Sequence, residues 1–238
     1  MKGIKFLRKD NRGNNELRKV EIIPEYLKFA QGSALIKLGF TEVLCSATIE
    51  EKVPLFLKNS DQGWLTSEYS MLPTSSPTRI SREFGTLRHG RSIEIQRLIG
   101  RVLRTIIDLK QIKGRTITVD CDVLQADGGT RTAAITGGFV AIVLALKKLN
   151  ITPLPVIRQI AAISVGIVNG ELLLDLDFQE DSRADVDFNL IMDRNENIIE
   201  IQGTAEKESF KREDLLRFID LGYKGINELF IAQDAALR

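Results

Sequence analysis

The segment 132–149 places the strongest constraint on how this chain of 238 residues can fold. Its side chains are apolar on nearly every side through the middle, where residues 139–146 form an unbroken apolar run. A helix that is apolar all round has no face suited to water and must be covered by protein on more than one side. The sequence therefore predicts a helix packed between two layers of secondary structure.

The segments around this helix are strand-like, and together they predict a mixed α/β (α+β) fold with helices between sheets. Alternating or β-branched runs, bounded by turn residues, are typical of strands and hairpins. These runs span residues 33–38, 42–49, 64–69, 116–124, 161–168, 171–176, 186–192 and 198–203. An amphipathic helix is expected to begin at Ser92 and to end at Gly114, and one or two terminal helices are expected over 212–236.

Composition excludes several classes of protein. A hydrophobic content of 43% with a formal net charge of +1 argues against intrinsic disorder. The run 139–146 is far shorter than the roughly 18 apolar residues of a membrane-spanning helix, and the amino end lacks the apolar stretch of a signal peptide. Cys45 and Cys121 lie in apolar runs and are expected to be buried thiols. We therefore expect a cytoplasmic protein without a membrane segment.

A glycine-containing turn between a predicted strand and the apolar helix is a candidate anion site. Its sequence is Gln-Ala-Asp-Gly-Gly-Thr-Arg-Thr, residues 125–132. Glycines allow backbone N–H groups to converge on one point, and a helix start adds unpaired donors. Thr130 offers a hydroxyl and Arg131 a planar fork suited to phosphate. The alternative is an ordinary strand-to-helix turn, and the phosphate loop of nucleotide-binding proteins is not present.

Arginine is concentrated between residues 79 and 104, where no lysine occurs. The members are Arg79, Arg82, Arg88, Arg91, Arg97, Arg101 and Arg104, opposed only by Glu83 and Glu94. Exclusive use of arginine favours planar recognition of phosphate. The alternative is a solvated helix face on which Glu94 pairs with Arg97, three residues away. That alternative suits Arg97 better than the loop residues Arg79, Arg82 and Arg91.

Carboxylates are concentrated between residues 175 and 187. They are Asp175, Asp177, Glu180, Asp181, Asp185 and Asp187, with Arg183 as the one cation among them. Clustered carboxylates repel one another unless a cation is present, and hard oxygen ligands suit Mg²⁺ or Mn²⁺. A solvated acidic loop is the alternative. Asp120 and Asp122 lie on a predicted strand, and for them the alternatives are a cation site and pairing with arginines.

The scarcity of histidine limits the classes of reaction that this chain can catalyse. His89 is the only histidine, so nucleophilic hydrolase chemistry and a zinc site are both poorly supported. What remains is a set of phosphate donors, arginines and carboxylates. That set is typical of metal-assisted phosphoryl transfer.

Two long motifs resemble the ribonuclease PH family of phosphate-dependent exoribonucleases. They are Gly-Arg-Ser-Ile-Glu-Ile-Gln-Arg-Leu-Ile-Gly-Arg at 90–101 and the stretch 120–133 that contains the glycine turn. Shorter matches lie at 164–168, 175–177, 180–182 and 201–206. The resemblance covers essentially the whole chain and implies a single domain, 1–238, with two βαβ-type halves and helices between mixed sheets.

The resemblance also implies an activity and its residues. The family removes 3′-terminal nucleotides from tRNA precursors as nucleoside diphosphates, 3′ to 5′ and reversibly, with inorganic phosphate as co-substrate and Mg²⁺ or Mn²⁺. Carried over by motif, Arg91, Gly129, Thr130 and Arg131 bind phosphate, Asp181 and Asp187 hold the metal, and Arg79 and Arg82 guide RNA; Arg91, Asp181 and Asp187 form the catalytic set. The implied assembly is a homohexamer, a trimer of dimers, acting on tRNA precursor 3′ ends and other structured RNA. The alternative is a non-catalytic RNA-binding ring subunit of an exosome-like assembly.

The chain departs from the family pattern outside these groups. Thr74 stands where an arginine is usual, and Asn11 replaces the glycine of an Asp-Gly-Arg motif. Ser70 and the residues 87–89 also differ. We expect the loss of one loop arginine to weaken RNA capture modestly.

Overall fold

The computed structural model describes residues 8–82, 90–207 and 209–238. In chain order the elements are β1 Val20–Pro24, β2 Gly32–Leu38, β3 Thr41–Glu50, β4 Trp64–Met71, α1 Gly90–Arg104, β5 Thr116–Gln125, α2 Thr130–Lys148, β6 Ile160–Val168, β7 Glu171–Leu174, α3 Phe178–Asp181, β8 Val186–Asp193, β9 Ile198–Ala205 and α4 Arg212–Leu237. A short 3-10 helix, Leu55–Leu57, precedes β4. The predicted mixed fold class is confirmed.

The first sheet has the strand order β1-β2-β3-β5-β4. Strands β4 and β5 are parallel, and helix α1 makes the crossover between them, while the other pairs are antiparallel. A parallel pair requires such a long connection because the chain must return to the same end of the sheet. The crossover brings the start of α1 and the end of β5 to the same end of this sheet.

The second sheet has the order β7-β6-β8-β9 and is antiparallel throughout. Helix α4 covers one face of it, where Gly222 allows a close approach: a Cβ there would lie 2.7 Å from the Leu190 side chain. Phe188 and Phe218 pack together in the apolar cluster between the helix and the sheet.

Helix α2 lies between the two sheets, as its all-round apolar surface predicts. On one side its backbone approaches β2 so closely that a Cβ on Gly32 would lie 2.1 Å from the carbonyl oxygen of Ala141. On the other side the Thr136 hydroxyl accepts a hydrogen bond from the Ala162 backbone N–H of β6, at 3.1 Å. By length and composition α2 could cross a membrane, but 83% of its most apolar window is buried inside the protein.

Helix α1 is shorter than the sequence predicts. Its buried face is the expected one, including Ile95, Leu98 and Val102, but the helix ends at Arg104 and not at Gly114. The chain continues through turns in which Ile106 and Ile112 are both fully buried. The spacing of these apolar residues continues the helical pattern, although their backbone is irregular. The predicted helix end is wrong for this reason.

Candidate active site

The glycine turn between β5 and α2 is shaped by close contact with the chain that leads into α3. Gly128 and Gly129 have φ values of 78° and 68°, in the left-handed region that favours glycine. A Cβ on Gly128 would lie 2.4 Å from the carbonyl oxygen of Leu176, so a side chain does not fit there. Gly129 is the N-cap of α2 and provides no side-chain cap. The first N–H groups of α2 therefore keep free donors for an anion.

One cavity brings together the residues for which phosphate and metal roles were predicted. It has a volume of about 340 Å³ and contains six of them, namely Arg91, Gly129, Thr130, Arg131, Asp181 and Asp187. They come from four separate elements: the start of α1, the start of α2, the end of α3 and the beginning of β8. The two cationic side chains and the two carboxylates thus line the same open cavity.

The carboxylates of this cavity have perturbed acidities. Partial burial raises the pKa of Asp181, while the nearby Arg131 and Arg91 oppose that rise. Partial burial also raises the pKa of Asp187, and repulsion from Asp181 adds to the effect. The amide of Asn189 donates to both carboxylate oxygens of Asp187, at 3.3 Å each. Two carboxylates that repel one another at short range favour a bound cation.

The rest of the acidic cluster has structural partners. Asp175 is fully buried and pairs with Arg18, at 2.7 Å between Oδ1 and Nη2. Asp177 caps α3 by accepting a hydrogen bond from the Glu180 backbone N–H, and Glu180 itself pairs with the buried Arg8. Asp185 lies outside the cavity and pairs with Lys207. Proximity in sequence therefore concealed a division into structural and cavity-lining carboxylates.

Arg18 is a residue near the site that sequence reasoning missed. It is buried, and its guanidinium donates to the backbone carbonyl oxygens of Asp127, Gly128 and Leu176 as well as to Asp175. These bonds join the glycine turn to the segment that begins α3. The signal that could have found Arg18 was the excess of carboxylates at 175–187, which matches the basic residues near the amino end.

Tyr69 is a second missed residue. It projects from β4, is 4% exposed, and its hydroxyl contacts the Thr130 hydroxyl. Burial raises the pKa of the Tyr69 phenol, so the side chain stays neutral at physiological pH. A buried phenol on a strand was indistinguishable from a core aromatic until the register with β5 was known.

The arginines of α1 are distributed differently from the pairing that was expected. In the parts of the chain that the structure describes, Arg97 forms no ion pair with Glu94. Arg101 instead makes a two-pronged contact with Glu200 of β9. Arg104 donates to the Leu65 carbonyl oxygen at 3.0 Å and lies over the Trp64 ring. Glu94 and Arg97 are both exposed, where an ion pair three residues apart on a helix is worth little.

The remaining candidate residues lie outside the cavity or outside the part of the chain that the structure describes. Arg79 and Arg82 are exposed on the loop after β4, whose Ser76 does line the cavity. Arg88 and His89, together with the rest of 83–89, lie outside the described residues. Asp120 and Asp122 on β5 have pKa values raised by partial burial, and no arginine pairs with them among the residues described. Cys45 and Cys121 are free, buried thiols, as expected.

Comparison with known proteins decides the family. The model "3′ exoribonuclease family, domain 1" matches residues 16–148, and the model for domain 2 of the same family matches residues 158–225. This chain belongs to the ribonuclease PH family of 3′ exoribonucleases. Ribonuclease PH of Moorella thermoacetica is 54% identical over 98% of this chain and 95% of its own length, and that of Syntrophomonas wolfei is 53% identical over 97% and 98%.

Solved structures of the family agree with the fold. The Archaeoglobus fulgidus exosome with RNA bound to the active site contains a chain with a TM-score of 0.79 and 26% identity, covering 94% of this chain and 91% of that one. Membership in the ribonuclease PH family confirms the predicted phosphorolytic 3′ exoribonuclease activity, with inorganic phosphate as co-substrate. The alternative, a non-catalytic ring subunit, is not favoured at this level of identity to ribonuclease PH.

Proposed function

We propose that the enzyme trims the 3′ ends of tRNA precursors and that the 340 Å³ cavity is where the terminal linkage is attacked. The observation that carries this assignment is the convergence of Arg91, Thr130 and Arg131 with Asp181 and Asp187 in one space. Phosphate binds between the two guanidinium groups and the free N–H groups at the start of α2. The terminal phosphodiester lies toward the carboxylates.

The reaction needs no general base from the protein. Inorganic phosphate is already ionised near neutral pH, and one of its oxygens forms the new bond to the phosphorus of the last linkage. The bond from that phosphorus to the 3′ oxygen of the preceding nucleotide breaks, and the proton carried by the attacking phosphate ends on this 3′ hydroxyl. The terminal residue leaves as a nucleoside diphosphate. Arg91 and Arg131 stabilise the negative charge on the transferring group.

The chemistry of the donor set fits a divalent cation. Asp181 and Asp187 line the cavity and would be its protein ligands. No group of three or more histidine, cysteine, aspartate or glutamate side chains is placed to hold a metal in the described segments. Mg²⁺ characteristically binds through one or two carboxylates and takes its other ligands from water and substrate phosphate. When bound, it supplies positive charge beside the scissile linkage. Mn²⁺ suits the same oxygen ligands.

RNA reaches the cavity past the loop that carries Arg79 and Arg82. Both side chains are exposed, and Ser76 of the same loop lines the cavity. Their charges suit the phosphate backbone and carry no sequence preference. In this proposal the enzyme acts in the cytoplasm as a homohexamer, a trimer of dimers. The whole chain, 1–238, forms one functional domain.

The test is a phosphate-dependence experiment on the purified protein. A tRNA with a 3′ extension is incubated with Mg²⁺, with and without inorganic phosphate, and products are identified by mass. We expect trimming only with phosphate and only nucleoside diphosphates as products, with at least about 100-fold less product from Arg131→Gln. Nucleoside monophosphates formed without phosphate would reject the proposal. Sedimentation of the same sample tests the hexamer, which a monomer alone would exclude.

A further inference from the structure

The residues that line the cavity are of two chemical kinds, and the mechanism uses only one of them. Arg91, Arg131 and the two carboxylates are the charged residues. The apolar residues are Met71 from the end of β4, Ala126 before the glycine turn, and Leu176 and Phe178 at the start of α3, of which Leu176 is itself buried. Phosphate and a cation gain nothing from apolar side chains, so these residues suit a different part of the substrate.

Phe178 is the most exposed of these apolar residues. The residue is 46% exposed, and it is the one aromatic side chain that lines this cavity within the described chain. Its backbone makes two hydrogen bonds: the N–H donates to Asp127 Oδ1 at a long distance of 3.4 Å, and its carbonyl oxygen accepts from the Ser182 N–H at 3.0 Å. Isolated exposed apolar residues are common on proteins, so exposure alone indicates little. The position of the ring indicates more.

Phe178 adjoins the phosphate turn and shares a helix with the carboxylate Asp181. Its backbone nitrogen is 2.9 Å from the site of a Cβ on Gly128, so it adjoins the phosphate turn. It also precedes Asp181 by three residues in α3, and residues three apart lie on the same face of a helix. A nucleotide separates its base from its phosphorus by one sugar, a length comparable to the ~5.4 Å rise of a helical turn.

We propose that Phe178 is the stacking platform for the base of the 3′-terminal nucleotide, with Met71 and Ala126 completing an apolar base site. Every nucleobase has a π-face, so stacking on one aromatic ring tolerates any base. That tolerance suits an enzyme that removes successive nucleotides of differing sequence. The same ring would hold the base of a nucleoside diphosphate in the reverse reaction. The proposal rests on the proposed placement of the scissile linkage in this cavity.

The experiment measures nucleotide and phosphate interactions separately in the full-length enzyme. Phe178→Leu keeps an apolar side chain but removes the π-face, Phe178→Tyr keeps the π-face, and Phe29→Leu changes a 94% exposed phenylalanine between β1 and β2. Reverse-reaction kinetics give KM for ADP and for UDP with one RNA primer, and phosphorolysis gives KM for phosphate. All variants are compared after their unfolding midpoints are measured.

We expect Phe178→Leu to raise KM for ADP about tenfold, to raise it less for UDP, and to leave KM for phosphate within twofold of the wild type. We expect Phe178→Tyr and Phe29→Leu to have the same KM values as the wild type. Unchanged KM for both diphosphates in Phe178→Leu overturns the stacking proposal, and so does an equal rise for phosphate. Failure of the wild type to use phosphate at all would instead reject the proposed function.

Discussion

The Tyr69 hydroxyl lies 2.8 Å from the Thr130 hydroxyl, a hydrogen bond between β4 and the first residue of α2. The direction of this bond bears on anion binding. A phenol that donates to Thr130 Oγ1 occupies the oxygen and leaves the threonine proton free to point into the cavity. With the bond in this direction, Tyr69 orients a donor toward the proposed phosphate position.

Replacing this phenol tests its orienting role. We expect Tyr69→Phe to raise KM for phosphate about fivefold, since one neutral hydrogen bond is worth about 1 kcal/mol. Initial rates across a phosphate series measure the effect, and Tyr26→Phe, a tyrosine 50% exposed on the β1–β2 connection, is the matched control. An unchanged KM in Tyr69→Phe would mean that Thr130 needs no partner.

The carboxylate Asp187 should lower stability while it supports activity. Burial and repulsion from Asp181 raise its pKa, so the folded state holds this proton more tightly than the unfolded state. Without divalent metal, the free energy of unfolding therefore falls as pH rises. The fall begins near the ordinary aspartate pKa of 3.8 and is complete above the raised pKa of the folded state. We expect Asp187→Asn to be more stable than wild type above that window but to lose activity by about 100-fold or more.

Urea unfolding with EDTA, between pH 4 and pH 8, measures this difference. Asp185→Asn is the control, because Lys207 lowers the pKa of that carboxyl and the sign is reversed. A variant Asp187→Asn that is less stable than the wild type at pH 8 would contradict the argument.

Addition and removal of metal should distinguish Asp181, which lines the cavity, from Asp185, which lies outside it. A ligand that binds only the folded state raises its stability by RT ln(1 + [L]/Kd), where [L] is the free ligand concentration. We expect Mg²⁺ to raise the unfolding midpoint of the wild type and of Asp185→Asn, and EDTA to reverse the rise. The midpoint of Asp181→Asn should respond little. An equal response in all three proteins would place the cation elsewhere.

The buried pair of Arg18 and Asp175 should be expensive to break. Asp175→Asn keeps a residue that tolerates the observed φ of 55° but removes the charge opposite Arg18. We expect a loss of about 3–5 kcal/mol in the free energy of unfolding, because Arg18 stays buried with only a longer ion pair to Asp127, at 3.8 Å. Asp61→Asn removes one partner of the exposed pair with Lys113 and should leave the urea midpoint unchanged. A small effect of Asp175→Asn would show that water replaces the carboxylate.

Restoring the usual loop arginine should strengthen RNA binding. Thr74 is exposed on the loop that also carries Arg79 and Arg82. We expect Thr74→Arg to bind tRNA more tightly at low salt and to steepen the dependence of log affinity on log salt by about 0.7, the value for one additional contact to a single strand. Thr74→Ser is the control. Identical affinities of Thr74→Arg and the wild type across the salt series would exclude a contact at this position.

The sequence by itself determined the class of fold, the central helix and the identity of the charged groups. An apolar surface on every side of α2 admits only a place between layers, and the period-two runs correspond to the observed strands. The motif at 120–133 marked the phosphate turn because glycine conformations and a helix start are local properties of the chain. Such local properties can be predicted from the sequence without knowledge of distant partners.

The tertiary structure decided what the other carboxylates of the cluster do. Composition and spacing do not separate Asp175 and Glu180 from Asp181, yet Arg18 and Arg8 neutralise the first two within the protein. The end of α1, the hydrogen bond of Tyr69 and the partner of Arg101 were equally hidden. Each depends on a contact between residues far apart in the chain, and such contacts are set by packing and not by local propensity.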